Sequence, residues 1–557
     1  MTTGENGVSD VAALADELLD LILDADPLSA TLLGVPGRDD RLGDVSEAAE
    51  RTLRADLLAI IGRADAIEAT GASVGQDAIT VKVVAQQARA AVDSIDARSI
   101  EHTITDLFIA PVSKLLTMLP MIVLPDAERA RSYLSRLQAI PAYLDAIIER
   151  HRAGIANGRV PVRRLVDAAI AHLDRYLDNQ GPDPLRGQQG PDAEFDAERE
   201  RVLADVVRPA VVNYRDFLVD EVAEHGRPDD RPGLCALPGG DQAYAALSRV
   251  HTTTDRTPDD LHQTGLDVIA TLRSEYAELG ERAFGLSDQA AIFDRLINDP
   301  ALRWRDGDEL VGDARRAIER AEAAASTWFG RLPSQRCRVE PVPEAEAPGA
   351  PAAYYMAPSL DGLRPGVYYA NTHDAHERDR FLSEVTAFHE AVPGHHFQLT
   401  IALELSELPL LRRMADVNAY TEGWGLYTER LADEMGLYSD DLARIGMLAM
   451  DSMRAARLVV DTGLHAKGWS RDQALAYLRE NTPLSAREIG SEVDRYIAYP
   501  GQALSYMVGR LEIQRIRAEA SARLGDRFDI RAFHDLVIGN GPLPLLVLND
   551  VVEQWNP

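Results

Sequence analysis

Along most of the 557-residue chain, apolar residues recur at steps of three and four, the spacing that lines one face of an α-helix. The stretch Val11-Ala12, Leu14-Ala15, Leu18-Leu19 and Leu21-Ile22 sets the pattern. Similar amphipathic runs occupy about 47–70, 76–98, 127–154, 162–178, 194–224, 257–282, 309–329, 376–391 and 440–482. A chain written this way is expected to be mainly α, with many helices. Turn-forming stretches from Gly181 to Pro191 and from Gly226 to Gly240 interrupt it. They are too short and too mixed in composition for flexible tethers, so they read as loops inside one domain over 1–557. Within it a helical N-terminal part of about 1–240 precedes a part of about 241–557 that holds the chemistry.

Only between about 335 and 371 does the character change. Arg338-Val339-Glu340-Pro341-Val342, Ala352 to Met356 and Gly366 to Ala370 are separated by Pro- and Gly-rich turns, which predicts a small antiparallel β-sheet. Lying just before His389, such a strand could hold an extended substrate by its backbone or could serve as scaffold.

With 46% hydrophobic and 26% charged residues there is ample material for a large core. A formal charge of −31 repels nucleic acid and anionic membrane alike, so neither is expected as a partner. Cys235 and Cys337 stand too far apart in sequence to indicate a disulfide framework or a metal-type cysteine cluster. The first residues lack a basic segment followed by an apolar one, which makes the cytoplasm the expected location.

The chemistry concentrates in His389-Glu390-Ala391-Val392-Pro393-Gly394-His395-His396. A hydrolytic zinc site takes about three protein ligands, a position for water and a nearby carboxylate. Its common form sets two histidines four residues apart on one helix. Here that fourth position is Pro393, and in a straight helix His395 would point about 120° away while His396 would lie roughly 10 Å along the axis. Pro393-Gly394 supplies the remedy, since proline removes a helical hydrogen bond and glycine tolerates unusual backbone angles. A bulge there can return a histidine to the ion. His395 is the expected second ligand and His396 the alternative. Glu422 and Glu429 share a face of the apolar, aromatic segment Asn418 to Glu429. Glu422 is the expected third ligand, and Glu429 could orient a ligand histidine through its other ring N–H. Glu390 is the expected general base.

These residues, with Phe397-Gln398, Glu422-Gly423-Trp424, Pro500 to Tyr506, the stretch Tyr244 to Gly265 and Asp361 to Gly366, resemble the bacterial DUF885 family over most of the chain. That family in turn resembles the α-helical, gluzincin-like zinc metallopeptidases, whose His-Glu helix and downstream glutamate hold zinc at the floor of a cleft. The resemblance implies a large multi-helix metallopeptidase-like fold enclosing a deep cleft, and a hydrolase. The two residues inserted between Glu390 and Gly394 depart from the simpler zinc motif.

Four further residues are candidates. Asp461 lies four residues before His465 and could hold its imidazole charged, to bind an oxyanion or a substrate carboxylate. Gln502, Tyr506 and Arg510 form a polar stripe, in which Tyr506 could donate to the oxyanion and Arg510 could clasp a substrate carboxylate. Arg364 is a weaker anion-binding candidate. His373 and His376 read as residues of a helix start and not as a second metal site. Together these readings predict a metallohydrolase with one zinc per chain, cleaving a peptide or peptide-like amide by metal-activated water. The alternatives are a metal enzyme of specialised metabolism acting on a non-peptide substrate, with iron as the other metal, and a non-catalytic, metal-stabilised binding protein. Oligomeric state stays open.

Overall fold

The computed structural model describes residues 10–71, 73–178, 183–186, 190–344, 347, 350–360 and 364–557. The chain is mainly α. The periodic runs form helices close to the expected bounds, among them Glu47–Thr70, Gly75–Asp96, Ala127–Ala156, Arg163–Asp178, Pro258–Phe284 and Gly307–Trp328. Their ends carry local signals. Ser46, Asp126, Thr257 and Asp306 each accept a backbone N–H of the first helical turn, a cap that contributes about 1 kcal/mol.

Three apolar cores form. One gathers buried residues from Leu28 to Ala223, and a second joins Val11, Leu14, Leu57, Ile60 and Val84 to Leu411. The third and largest draws almost entirely on residues after Val162 and contains the elements of the site. Among the described residues no helix is long and apolar enough to cross a membrane. A surface hollow of about 460 Å³, lined by Pro120–Pro125, Gly190 and Pro191, lies in the N-terminal part and carries no metal-ligating side chain.

The β segment forms, but as a mixed sheet and not the antiparallel one expected. Strands β1 (Arg338–Pro341), β2 (Ala353–Met356) and β3 (Val367–Ala370) lie in the order β1-β3-β2. β1 runs parallel to β3, with Arg338 opposite Val367, and β2 antiparallel, with Ala353 opposite Ala370. Consecutive antiparallel strands need tight hairpins to stay adjacent, whereas the connections here are long enough for β3 to enter between the other two. The Arg364 turn of the sequence motif is described only from Arg364 onward; Asp361 to Leu363 lie outside the described residues.

Two further departures occur near the site. The run 376–391 is helical only over Ser383–Glu390, preceded by 3₁₀ turns at Ala375–Glu377 and Arg380–Leu382. The run 440–482 divides into Asp441–His465 and Arg471–Asn481, because Gly468 takes a left-handed φ of 68° that stops the first helix.

Candidate metal centre

The helix bearing His389 stops at Glu390, and a second helix starts at His395. Residues 391–394 form the turn between them, with a cis bond at Val392–Pro393. The break is complete, where the sequence suggested a bulge within one helix. A Cβ on Gly394 would collide with the His389 and Phe388 carbonyls, so only glycine permits so tight a reversal. Trp424 pins the turn by donating its indole N–H to the Pro393 carbonyl at 3.0 Å. The His395 ring thereby comes to 4.7 Å from the His389 ring, centre to centre, with the planes at 84°.

Glu422 arrives on the helix Asn418–Glu434. That helix lies directly on the His389 ring, since a Cβ on Gly425 would stand only 2.5–2.8 Å from three ring atoms. Glu422 Oε2 is 3.4 Å from His389 Nε2 and 3.5 Å from His395 Nε2, and one ligand atom from each residue falls within 4.8 Å of the others. Two donors each roughly 2.0–2.1 Å from a tetrahedral ion lie about 3.3 Å apart, so the two separations from Glu422 to the imidazoles suit a shared zinc-sized cation, which would draw the two rings closer together.

The hydrogen bonding agrees with that fit. His389 Nδ1 donates to Glu429 Oε1 at 2.7 Å, which directs the lone pair of Nε2 toward Glu422. Glu429 is fully buried, and its Oε2 has no hydrogen-bond partner among the described residues. Burial opposes charge on His389, yet the two carboxylates outweigh it and push its pKa up to about 10. The donor set attracts a cation, and the protonated ring supplies one when no metal does. Glu422 is held well below the usual carboxylate range by both imidazoles, against the penalty of burial.

The neighbouring His396 turns elsewhere. Its Nε2 bonds the Gln335 carbonyl at 2.9 Å and its Nδ1 the Tyr355 hydroxyl at 2.9 Å, so both ring nitrogens are engaged. Burial lowers its pKa. Glu390 is half-buried and accepts the Tyr355 backbone N–H at 3.1 Å. This bond places the free edge of β2 beside the metal group.

The supporting residues divide. Tyr506 lies on Ser505–Leu524, which crosses the Glu422 helix with Gly423 against Gly509. Burial and the charge of Glu422 raise its pKa, and the Arg457 guanidinium lies 4.5 Å over its ring. Arg510 is paired with buried Asp451, which Arg430 also binds at 2.5 Å. Arg364 sits among the Tyr355 neighbours, its N–H donating to Ser359 Oγ at 2.9 Å.

His465 does not meet Asp461 as the spacing suggested. Asp461 instead accepts the Tyr244 hydroxyl at 2.6 Å and the Gly501 N–H at 3.0 Å. His465 Nδ1 accepts the Leu234 N–H at 3.1 Å, and its Nε2 donates to the Tyr496 carbonyl at 3.0 Å. Burial lowers its pKa to about 4, so the ring is neutral and ties loops to the core, with no capacity left for an oxyanion. His373 N–H is capped by Asn371 Oδ1 at 3.0 Å, and its ring pairs with Asp374.

The sequence reading passed over Arg454 and Arg457, both buried and both facing Tyr506. The signal was present, since two arginines interrupt the otherwise apolar run Ala455-Ala456 and Leu458-Val459-Val460.

The fold is shared with solved structures. A crystal structure from Colwellia psychrerythraea, described as a candidate lipoprotein, matches with a TM-score of 0.89 and 28% identity over 98% of each chain. A second solved structure, from Shewanella oneidensis and described as a candidate lipoprotein of unknown function, matches with a TM-score of 0.78. It is 20% identical and covers 98% of this chain and 100% of that one. No curated protein matches. The model of a family described as bacterial protein of unknown function, DUF885, matches residues 27–552, and the chain therefore belongs to the DUF885 family.

Proposed function

We propose that this protein is a zinc-dependent hydrolase that cleaves an amide bond in a peptide or peptide-like substrate, with one zinc per chain. The observation that carries this reading is the group of two imidazoles and a carboxylate with a further carboxylate, Glu390, next to the first imidazole and, among the described residues, in no ion pair with an arginine or lysine. Nitrogen and oxygen donors in this number suit zinc, which when bound supplies a Lewis acid and lowers the pKa of a water to about 7.

The chain's own residues fit the remaining tasks. Glu390 would take a proton from the attacking water and return it to the leaving amine. Tyr506, whose raised pKa keeps it a phenol, would donate its O–H to the carbonyl oxygen as negative charge develops there. β2 offers a main-chain rail for the substrate. Ala352 pairs with Asn371 across to β3, so by alternation Ala353 and Tyr355 direct their N–H and C=O groups to the free edge, where Tyr355 reaches Glu390. The reading also requires a cleft above this group for the substrate.

A purely structural metal site is disfavoured because such sites are closed, whereas the Glu422 side chain keeps 21% of its exposure. For location we keep the cytoplasm; an anchored lipoprotein, as the two structural neighbours are described, is the competing reading, and cell fractionation decides between them.

The test is Glu390→Gln, which removes the base and preserves shape. The variant should bind zinc in the wild-type ratio by metal analysis and lose turnover of a peptide pool, followed by mass spectrometry, by about 10²–10⁴-fold. Wild-type turnover in this variant would end the assignment. Iron in place of zinc in the purified protein would redirect it toward oxygen chemistry.

A further inference from the structure

Arg454 is 6% exposed and Arg457 5% exposed, and both present their guanidinium groups to the Tyr506 ring, at 5.7 and 4.5 Å from its centre. Buried guanidinium groups are costly unless carboxylates compensate them. Arg457 is compensated, by Glu492 at 2.9 Å and the Tyr496 hydroxyl at 3.1 Å, though its Nη1 has no partner among the described residues. Arg495 draws on the same Glu492 at 3.1 Å. Arg454 has no carboxylate among the described residues; its polar contact is Met450 Sδ at 2.9 Å, and its Nε is buried and unpartnered. Arg457 and Arg495 thus share the single carboxylate Glu492 and Arg454 has none, so these three guanidinium groups carry an excess of two positive charges over that carboxylate in a protein of net charge −31. The nearby Asp451 relieves none of it, being taken by Arg510 and Arg430.

This excess adjoins the metal group. Tyr506 lies between them, with the arginines over its ring and the charge of Glu422 acting on its hydroxyl. An anionic group of a substrate whose reacting carbonyl faces Glu422 and Glu390 would find Arg454 across the phenol ring. A planar guanidinium with free N–H groups matches a carboxylate by two parallel hydrogen bonds.

We propose that Arg454, backed by Arg457, binds a carboxylate of the substrate close to the scissile amide, so that the substrate class is free-acid peptides or N-acyl amino acids. The proposal rests on the hydrolase reading for what the site does with the ligand. It does not rest on it for the binding itself.

The experiment therefore separates the two. Full-length protein is stripped of metal with EDTA and titrated calorimetrically with N-acetylglycine, N-acetylglycinamide and inorganic phosphate. The acid should bind and the amide should not. Arg454→Met should weaken the acid by about tenfold or more, and Arg454→Lys, which keeps the charge but loses the planar fork, by less. Arg454→Met should also melt no lower than wild type, because it removes a buried charge that no carboxylate compensates, whereas Arg457→Met should melt lower by stranding Glu492. Equal binding of acid and amide, undiminished binding in Arg454→Met, or a lower melting point for that variant would each overturn the proposal. Preferential binding of phosphate would overturn the assignment to a carboxylate. In zinc-loaded protein, peptide acids should turn over faster than the matching amides. Equal turnover removes the carboxylate site and leaves the hydrolase standing, and acid-selective binding without turnover does the reverse.

Discussion

A single carboxylate decides how well the His389 ring can serve as a ligand. Glu429 is fully buried and holds Nδ1–H at 2.7 Å, which leaves Nε2 as the lone-pair nitrogen facing Glu422. Glu429→Gln keeps the size of the side chain but removes the charge that makes the imidazole a stronger base, so zinc affinity should fall by about 10–100-fold. Competition with a chromophoric chelator measures this directly; unchanged affinity would reduce Glu429 to a packing residue. The contact of Glu429 with His389 was legible in the sequence because seven-residue spacing puts it on the face of Glu422, and a carboxylate on an apolar face needs a partner. The choice between His395 and His396 was not legible to the same degree. It depends on how residues 391–394 turn, and the structure sends His396 to Tyr355 and the Gln335 carbonyl. Asp461 and His465 show the opposite failure, since correct spacing on one helix was overridden by Tyr244, Gly501, Leu234 and Tyr496 from elsewhere in the chain.

Between elements, the candidate metal group depends on one helix crossing. The Glu422 helix meets the Tyr506 helix where Gly423 faces Gly509, so closely that a Cβ on Gly509 would strike the Ala419 carbonyl and the Gly423 Cα. Backbone cannot yield as a side-chain tip can, so Gly509→Ala must push the helices apart. It should destabilise the protein by about 1–3 kcal/mol and displace Glu422, the residue before Gly423, from the two imidazoles. A lower melting temperature with weaker zinc binding is the expected pair of results, and a fall in neither would mean that the crossing is not rigid. Helices were legible here because a 3.6-residue period persists through them, as over Pro258–Phe284. Their interruptions were not, because a 3₁₀ turn at Arg380–Leu382 keeps nearly the same apolar spacing as a helix. Sheet order was beyond reach for a related reason: three four-residue strands fix which faces are apolar but not which edges pair.

At the scale of the whole molecule, titrating groups buried in separate cores set its response to acid. Burial lowers His102 and His534 to about 3 and His151, His251 and His465 to about 4, so the folded protein keeps all five neutral. Unfolding returns them to about 6.5, so their contribution is present above that pH and is lost as the pH falls from 6.5 toward 4. Two buried acids oppose this. Burial raises Asp379 to about 6 and Asp461 to about 7, so these contribute below the ordinary carboxylate pKa and lose that contribution as pH rises toward 6 or 7. Near pH 5, then, among these seven groups each of five histidines gains a proton on unfolding and each of two aspartates releases one, so that their own contribution is a net uptake of about three and a slope of about 4 kcal/mol per pH unit. The histidines win. Loss of any metal bound at the candidate site would confound the measurement, since acid also protonates the histidines proposed as its ligands, so metal-free protein is the right sample. There His389, with a pKa of about 10, is charged in both states below pH 6 and drops out. The urea midpoint of metal-free protein should therefore fall steeply between pH 6.5 and 4.5. A midpoint that holds or rises across that interval would show that these histidines reach solvent or find proton acceptors in the folded state, and that the packed cores do not keep them neutral.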